Sequence, residues 1–149
     1  MTSLVDQVRQ MESEINKVIV LAKTLKEAQL RFGSHEYNLE TCKDGQVRQA
    51  NDDLEKFLSS KSTRDLWLMF SVYYVGMLEC KPYKPKDRED YLEMKEHGIF
   101  RSEEEKIFSY YNNFVLEDQP KEQVIERLLG KTNLLAEYLK KGLLLLLQK

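Results

Sequence analysis

The two histidines of the chain are the side chains best suited to acid–base chemistry, and the first of them has an arginine nearby. His35 follows Arg31 with three residues between them. An Arg and a His can act together on an RNA phosphate, although helical ribonucleases that use such a pair separate the two residues more widely. Gly33 also interrupts the helix that would present both side chains. We expect the pair to lie on a surface loop, and a ribonuclease that uses His35 stays open as an alternative function.

The second histidine ends a row of acidic residues. Glu89, Glu93 and His97 are spaced i, i+4 and i+8, which places them on one face of a predicted helix where they could meet a metal ion. Helical carboxylate sites draw Glu-x-x-His sets from several helices, and this sequence contains no Glu-x-x-His. We therefore expect a solvated charged face and no bound metal, with a metal-dependent hydrolase that uses His97 as the alternative.

Sequence motifs for nucleophilic, phosphate-binding or zinc chemistry are absent. There is no G-x-S-x-G, no GxGxxG and no GxxxxGK[ST], and Cys42 and Cys80 form no CxxC pair. We expect both cysteines to be free thiols, because the amino terminus has no basic-then-apolar signal region and a reducing compartment is indicated. The sequence thus predicts no catalytic and no cofactor-binding residues, and the balance is against an enzyme.

A short basic segment is the part of the sequence that could bind a phosphate group or an acidic partner. Its cations are Lys81, Lys84, Lys86 and Arg88, with Tyr83 among them, but Asp87, Glu89 and Asp90 follow at once and oppose their field. The whole chain has a net charge of −2. A nucleic-acid partner is therefore not favoured, and a nucleic-acid-binding helical module is kept as a third alternative.

Composition and periodicity predict an all-α fold. The 149 residues suit a single helical domain (1–149), 42% of them are hydrophobic, and six Gly and three Pro leave little room for turn-rich β structure. The longest apolar run, 143–147, is too short to cross a bilayer, so we expect no membrane span. Because the amino terminus has no signal region, we expect an intracellular, cytoplasmic protein. We predict six or seven helices: Leu4 to Phe32, Gln46 to Ser59, Arg64 to Cys80, Asp87 to His97, Ser102 to Leu116, one from Pro120, and Thr132 to Lys149.

The helix over about 64–80 is predicted to form the centre of the bundle. Its sequence DLWLMFSVYYVGML is apolar nearly all round, which is typical of a helix surrounded by others. Trp67, Phe70, Tyr73 and Tyr74 could line a ligand pocket, but their helical spacing favours a place in the core.

Two features indicate more apolar surface than one subunit needs. The first helix has the alternating spacing of a coiled-coil seam, and five successive leucines near the end cover every face of a helix. We therefore predict a non-enzymatic protein–protein interaction module, an adaptor or complex subunit, with a protein partner or a homodimer formed through the first and last helices. Alternatively, helices of the same subunit cover the leucine run on both sides. The predicted contact residues are Leu4, Val8, Met11, Ile15, Leu143, Leu144, Leu145, Leu146 and Leu147.

Overall fold

The all-α prediction is confirmed. The computed structural model describes residues 3–31, 46–79, 87–96 and 102–147, which form eight α-helices and no strand. Within those ranges no helix combines the length and the apolar character needed to cross a bilayer. The helices are α1 (Leu4–Gln10), α2 (Glu12–Arg31), α3 (Gln46–Ser59), α4 (Thr63–Leu78), α5 (Arg88–Glu96), α6 (Glu103–Glu117), α7 (Lys121–Leu129) and α8 (Thr132–Leu147).

The first predicted helix is divided in two at Met11, where φ is −94° and ψ is 5°. The helical hydrogen bonding continues across the bend, since the Met11 amide donates to the Gln7 carbonyl oxygen at 3.0 Å. Glu104 of α6 holds the start of α1, because its carboxylate accepts hydrogen bonds from the amides of Leu4 at 2.6 Å and Val5 at 3.0 Å. The bend lets α1 pack on α6 while α2 packs on α8 and α3.

Helix α4 lies at the centre, as its sequence predicts. It packs against α8, α6, α7 and α1. Ser62 caps its amino end by accepting a hydrogen bond from the Asp65 amide at 3.1 Å, a common way for a helix to begin. The residues of α4 that are buried lie on all sides of the helix and are Leu66, Trp67, Leu68, Met69, Phe70, Ser71, Val72, Tyr73, Val75 and Gly76.

The close crossing of α4 and α8 depends on two glycines. A Cβ atom on Gly76 would overlap the Tyr138 carbonyl oxygen and lie 2.7 Å from the Gly142 nitrogen. A Cβ atom on Gly142 would overlap the Val72 carbonyl oxygen. The two backbones therefore approach each other as only a pair of glycines permits.

Helix α6 begins and ends with recognisable caps. Its start is a capping box: the Ser102 hydroxyl accepts from the Glu105 amide at 3.2 Å, and the Glu105 carboxylate accepts from the Ser102 amide at 3.4 Å. Asp118 ends the helix in the left-handed region, with φ 47° and ψ 46°. Pro120 then precedes α7 as its N-cap residue.

Of the four aromatic residues predicted in the core, Trp67, Phe70 and Tyr73 are buried, and Tyr74 is partly buried against the core. Phe70 stacks on both Tyr74 and Phe114, with 5.0 Å between ring centroids in each pair. The Arg127 guanidinium lies over the Phe70 ring at 4.8 Å and donates a hydrogen bond at 2.8 Å to the side-chain oxygen of Gln119, in the turn that follows α6. These contacts account for the aromatic cluster as packing between α4, α6 and α7.

Candidate functional site

The residues predicted to contact a partner lie mostly inside the subunit. In the leading helices Val8, Met11 and Ile15 are buried and Leu4 is partly buried against the core. The seam they form packs within the chain and is not an open surface.

The leucine run at the end of α8 is likewise covered by the same chain. Leu143, Leu146 and Leu147 are buried, Leu145 is partly buried, and Leu144 is 44% exposed. Helices α2 and α4 both pack on α8, as the single-subunit alternative for this run requires. Of the nine residues predicted to contact a partner, only Leu144 is exposed, and Leu4 and Leu145 are partly exposed.

Most of the other side chains considered for chemistry fall outside the described residues. His35, His97, Cys42, Cys80 and the segment 81–86 are among them, and the Arg31 side chain is too. Glu89 and Glu93 are exposed on α5. Among the residues that the structure does describe, no group of three His, Cys, Asp or Glu is arranged to hold a metal ion. The two hydrolase alternatives therefore stay untested predictions.

A concave surface lies between α2 and α8 and is here called the α2/α8 groove. Its volume is about 670 Å³. Val20 and Leu30 are on its α2 wall and are 58% and 66% exposed, although both are large aliphatic residues. Ile19, which is 8% exposed, and the partly buried Ala136 contribute apolar surface beneath them.

The remaining lining of the groove is polar and mostly charged. Lys23 and Lys26 are contributed by α2, and Lys140 is contributed by α8. Glu137 is also present, and its carboxylate accepts a hydrogen bond from Lys141 at 3.2 Å. The other polar residues of the lining are Asn16, Glu27 and Asn133.

The groove exists because α2 has apolar residues on two faces. Its inner face, with Ile15, Val18 and Leu25, is buried in the core. Val20 and Leu30 belong to the outer face of α2, which the neighbouring helix α8 covers only in part. Two packed cylinders leave such a furrow along their line of contact, and residues 16 to 30 extend along it for about 21 Å.

A second hollow, of about 390 Å³, lies where the start of α1, the start of α6 and the end of α8 meet. Three of its polar groups are already used in structure: Glu104 caps α1, Ser102 caps α6, and Arg9 is paired with Asp6 at 3.0 Å. We therefore assign it no function.

Other exposed apolar residues are found on separate helices. Phe108, Val115 and Leu116 are exposed on α6, and Tyr91 and Leu92 on α5. Exposed apolar residues are common on protein surfaces. The α2/α8 groove differs because its exposed residues border a concave surface.

No protein-family model, no curated protein and no solved structure matches this chain. The candidate site therefore depends on the geometry alone.

The sequence of α2 contains a second row of evenly spaced residues that indicates this groove, beside the row of apolar residues that is buried in the core. Asn16, Val20, Lys23, Glu27 and Leu30 follow one another at spacings of four and three, as the buried residues of the same helix do. Two aliphatic residues within an otherwise polar stripe indicate a second contact face.

Proposed function

We propose that the protein is a non-enzymatic protein-interaction module, an adaptor or a complex subunit, whose α2/α8 groove binds an α-helix of its partner. The observation that supports this most strongly is the pair Val20 and Leu30, which are aliphatic and yet more than half exposed on the wall of the groove.

The shape and chemistry of the groove favour a helix as the occupant. Binding by strand addition would need an open strand edge, and the described ranges contain no strand. A small-molecule site would present a few convergent polar groups in an apolar pocket, whereas here the charged groups line the sides of an open furrow. A length of about 21 Å fits four turns of a helix.

The binding energy available from the groove is modest. Complete burial of an aliphatic side chain contributes about 1.5–3 kcal/mol, so covering the exposed parts of Val20 and Leu30 gives roughly 2–4 kcal/mol. The apolar face of the partner adds its own burial, while the lost freedom of association opposes both. We therefore expect an affinity in the micromolar range.

A second copy of the chain is the competing occupant, because a homodimer through the first and last helices would involve α2 and α8. Sedimentation of the wild-type protein over a range of concentrations separates the two. We expect a monomer. If the wild type is a dimer and Leu30→Asp is a monomer, the occupant of the groove is a second copy of the chain and not another protein.

Selection of helical peptides on the purified protein tests the proposal. A display library of peptides of about 15 residues is selected on the wild type, and the affinity of the selected peptides is then measured for Leu30→Asp. We expect a loss of tenfold or more, about 1.4 kcal/mol, because a carboxylate replaces the apolar contact. Leu116→Asp is the matched control, since Leu116 is 75% exposed on α6 and away from the groove.

Two outcomes would contradict the proposal. In one, the selection yields no peptide that binds. In the other, the selected peptides bind wild type and Leu30→Asp equally, whatever their affinity for Leu116→Asp.

A further inference from the structure

We infer that the helix bound in the α2/α8 groove carries acidic side chains on both flanks of its apolar face. This inference rests on the proposed function and adds the chemistry of the partner. It starts from the contrast between the groove and the rest of the molecule: the chain as a whole has a net charge of −2, while lysines outnumber carboxylates in the groove.

The positive charges lie on both walls. Lys23 and Lys26 are one helical turn apart on α2, and Lys140 belongs to α8 across the furrow. A helix between the walls would therefore meet ammonium groups on each side. The flanks of helices that pack together are the positions where complementary charges set the choice of partner.

The carboxylates in the groove do not cancel this field. The Glu137 carboxylate is already paired with Lys141, at 3.2 Å. Glu27 is the other acidic residue of the lining. Counting the pair of Glu137 and Lys141 as neutral leaves three lysines against one glutamate.

Lysine suits this position for a second reason. Its aliphatic stem can lie along the apolar residues of a bound helix while the ammonium group stays in water. A basic helix would bring like charges together at both walls and is disfavoured.

Three synthetic peptides test the inference. Each has about 15 residues and the same stripe of leucines at alternating spacings of four and three, and the flanking positions are all Glu, all Gln or all Lys. Fluorescence anisotropy at low salt and at about 0.5 M salt, where charge interactions are screened, measures their affinities. We expect the Glu peptide to bind at least tenfold more tightly than the Lys peptide at low salt, with a smaller difference at high salt.

Charge reversal in the groove provides the decisive variant. K23E/K26E/K140E should reverse the order of the Glu and Lys peptides. R48E/K56E/K95E changes the net charge equally at exposed positions of α3 and α5 and should preserve the wild-type order.

The outcomes distinguish this inference from the proposed function. Equal affinity for all three peptides, or preference for the Lys peptide, overturns the inference and leaves helix binding in the groove intact. Failure of all three to bind overturns both. Binding to vesicles of phosphatidylcholine and phosphatidylserine is measured as well. If the protein binds the vesicles and none of the peptides, its ligand is an anionic membrane surface, and both the proposed function and this inference are overturned.

Discussion

Tyr73 illustrates how individual side chains of this protein are fixed by their surroundings. It is 2% exposed, and its ring meets the rings of Phe70, Tyr74 and Tyr138 edge-on, at 5.8, 5.5 and 5.6 Å. Burial raises the pKa of its hydroxyl above the ordinary value of 10.0, and Tyr74 and Tyr138 raise it further. The neutral phenol is thus the form that the folded state favours.

The raised pKa predicts a loss of stability in alkali. In the unfolded chain the hydroxyl ionises near pH 10.0, so the unfolded state binds fewer protons than the folded state above that pH. The contribution is complete below pH 10.0 and is lost as pH rises through the folded pKa. Tyr73→Phe should make the free energy of unfolding, measured in urea from pH 8 to pH 11, fall less steeply than in wild type.

Tyr91→Phe is the control for this experiment, because Tyr91 is 43% exposed. It should follow the wild-type dependence on pH. Parallel curves for wild type and Tyr73→Phe would show that burial of this hydroxyl does not govern alkaline stability.

Among the elements of the fold, α4 and α8 have the tightest relation. Their backbones cross at Gly76 and Gly142 with no room for a Cβ atom on either residue. In an isolated helix a change from Gly to Ala is favourable by about 1 kcal/mol. At this crossing the two helices must move apart to admit a methyl group, so we expect the steric overlap to outweigh the gain in helix propensity.

Gly142→Ala is therefore expected to lower the free energy of unfolding by about 1–3 kcal/mol or more, measured by urea denaturation. Gly130→Ala is the matched control. A Cβ atom at Gly130 has its nearest contact at 3.5 Å, and φ is −69°, so that variant should be neutral or stabilised by up to about 1 kcal/mol. Equal stability of Gly142→Ala and wild type would mean that the helices do not cross so closely.

The sequence predicted the elements well where the signal was local. The capping residues Ser62 and Ser102 mark helix starts through hydrogen bonds to amides three residues later. The all-round apolar pattern of α4 identified the centre. The division at Met11 was not predicted, because the apolar spacing continues through it and the bend depends on which neighbours α1 and α2 meet.

The same limit applies to the candidate site. The sequence indicated the two helices that form the groove, but the contact residues predicted on them, such as Ile15 and Leu143, lie on the faces buried in the core. Which face of α2 remains uncovered depends on how far α8 reaches round it. The packing of α8 on α2 brings together helices that are far apart in the chain, and the apolar periodicity of each helix does not predict it.

At the scale of the whole molecule, α2 and α8 serve the core and the surface at once. Their inner faces join α3 and α4 in the bundle, and their outer faces border the groove. A partner helix would extend the bundle by one further helix without rearranging it. Binding should therefore leave the fold unchanged and affect one strip of the surface.

Mapping of amide chemical shifts by NMR, with a selected peptide added to the labelled protein, tests this claim most directly. If the peptide binds in the groove, shifted amides concentrate at residues 16–30 of α2 and 133–140 of α8, and α6 is little affected. Shifts centred on Phe108 and Leu116 of α6, or a saturating peptide that moves no amide of α2, would contradict it.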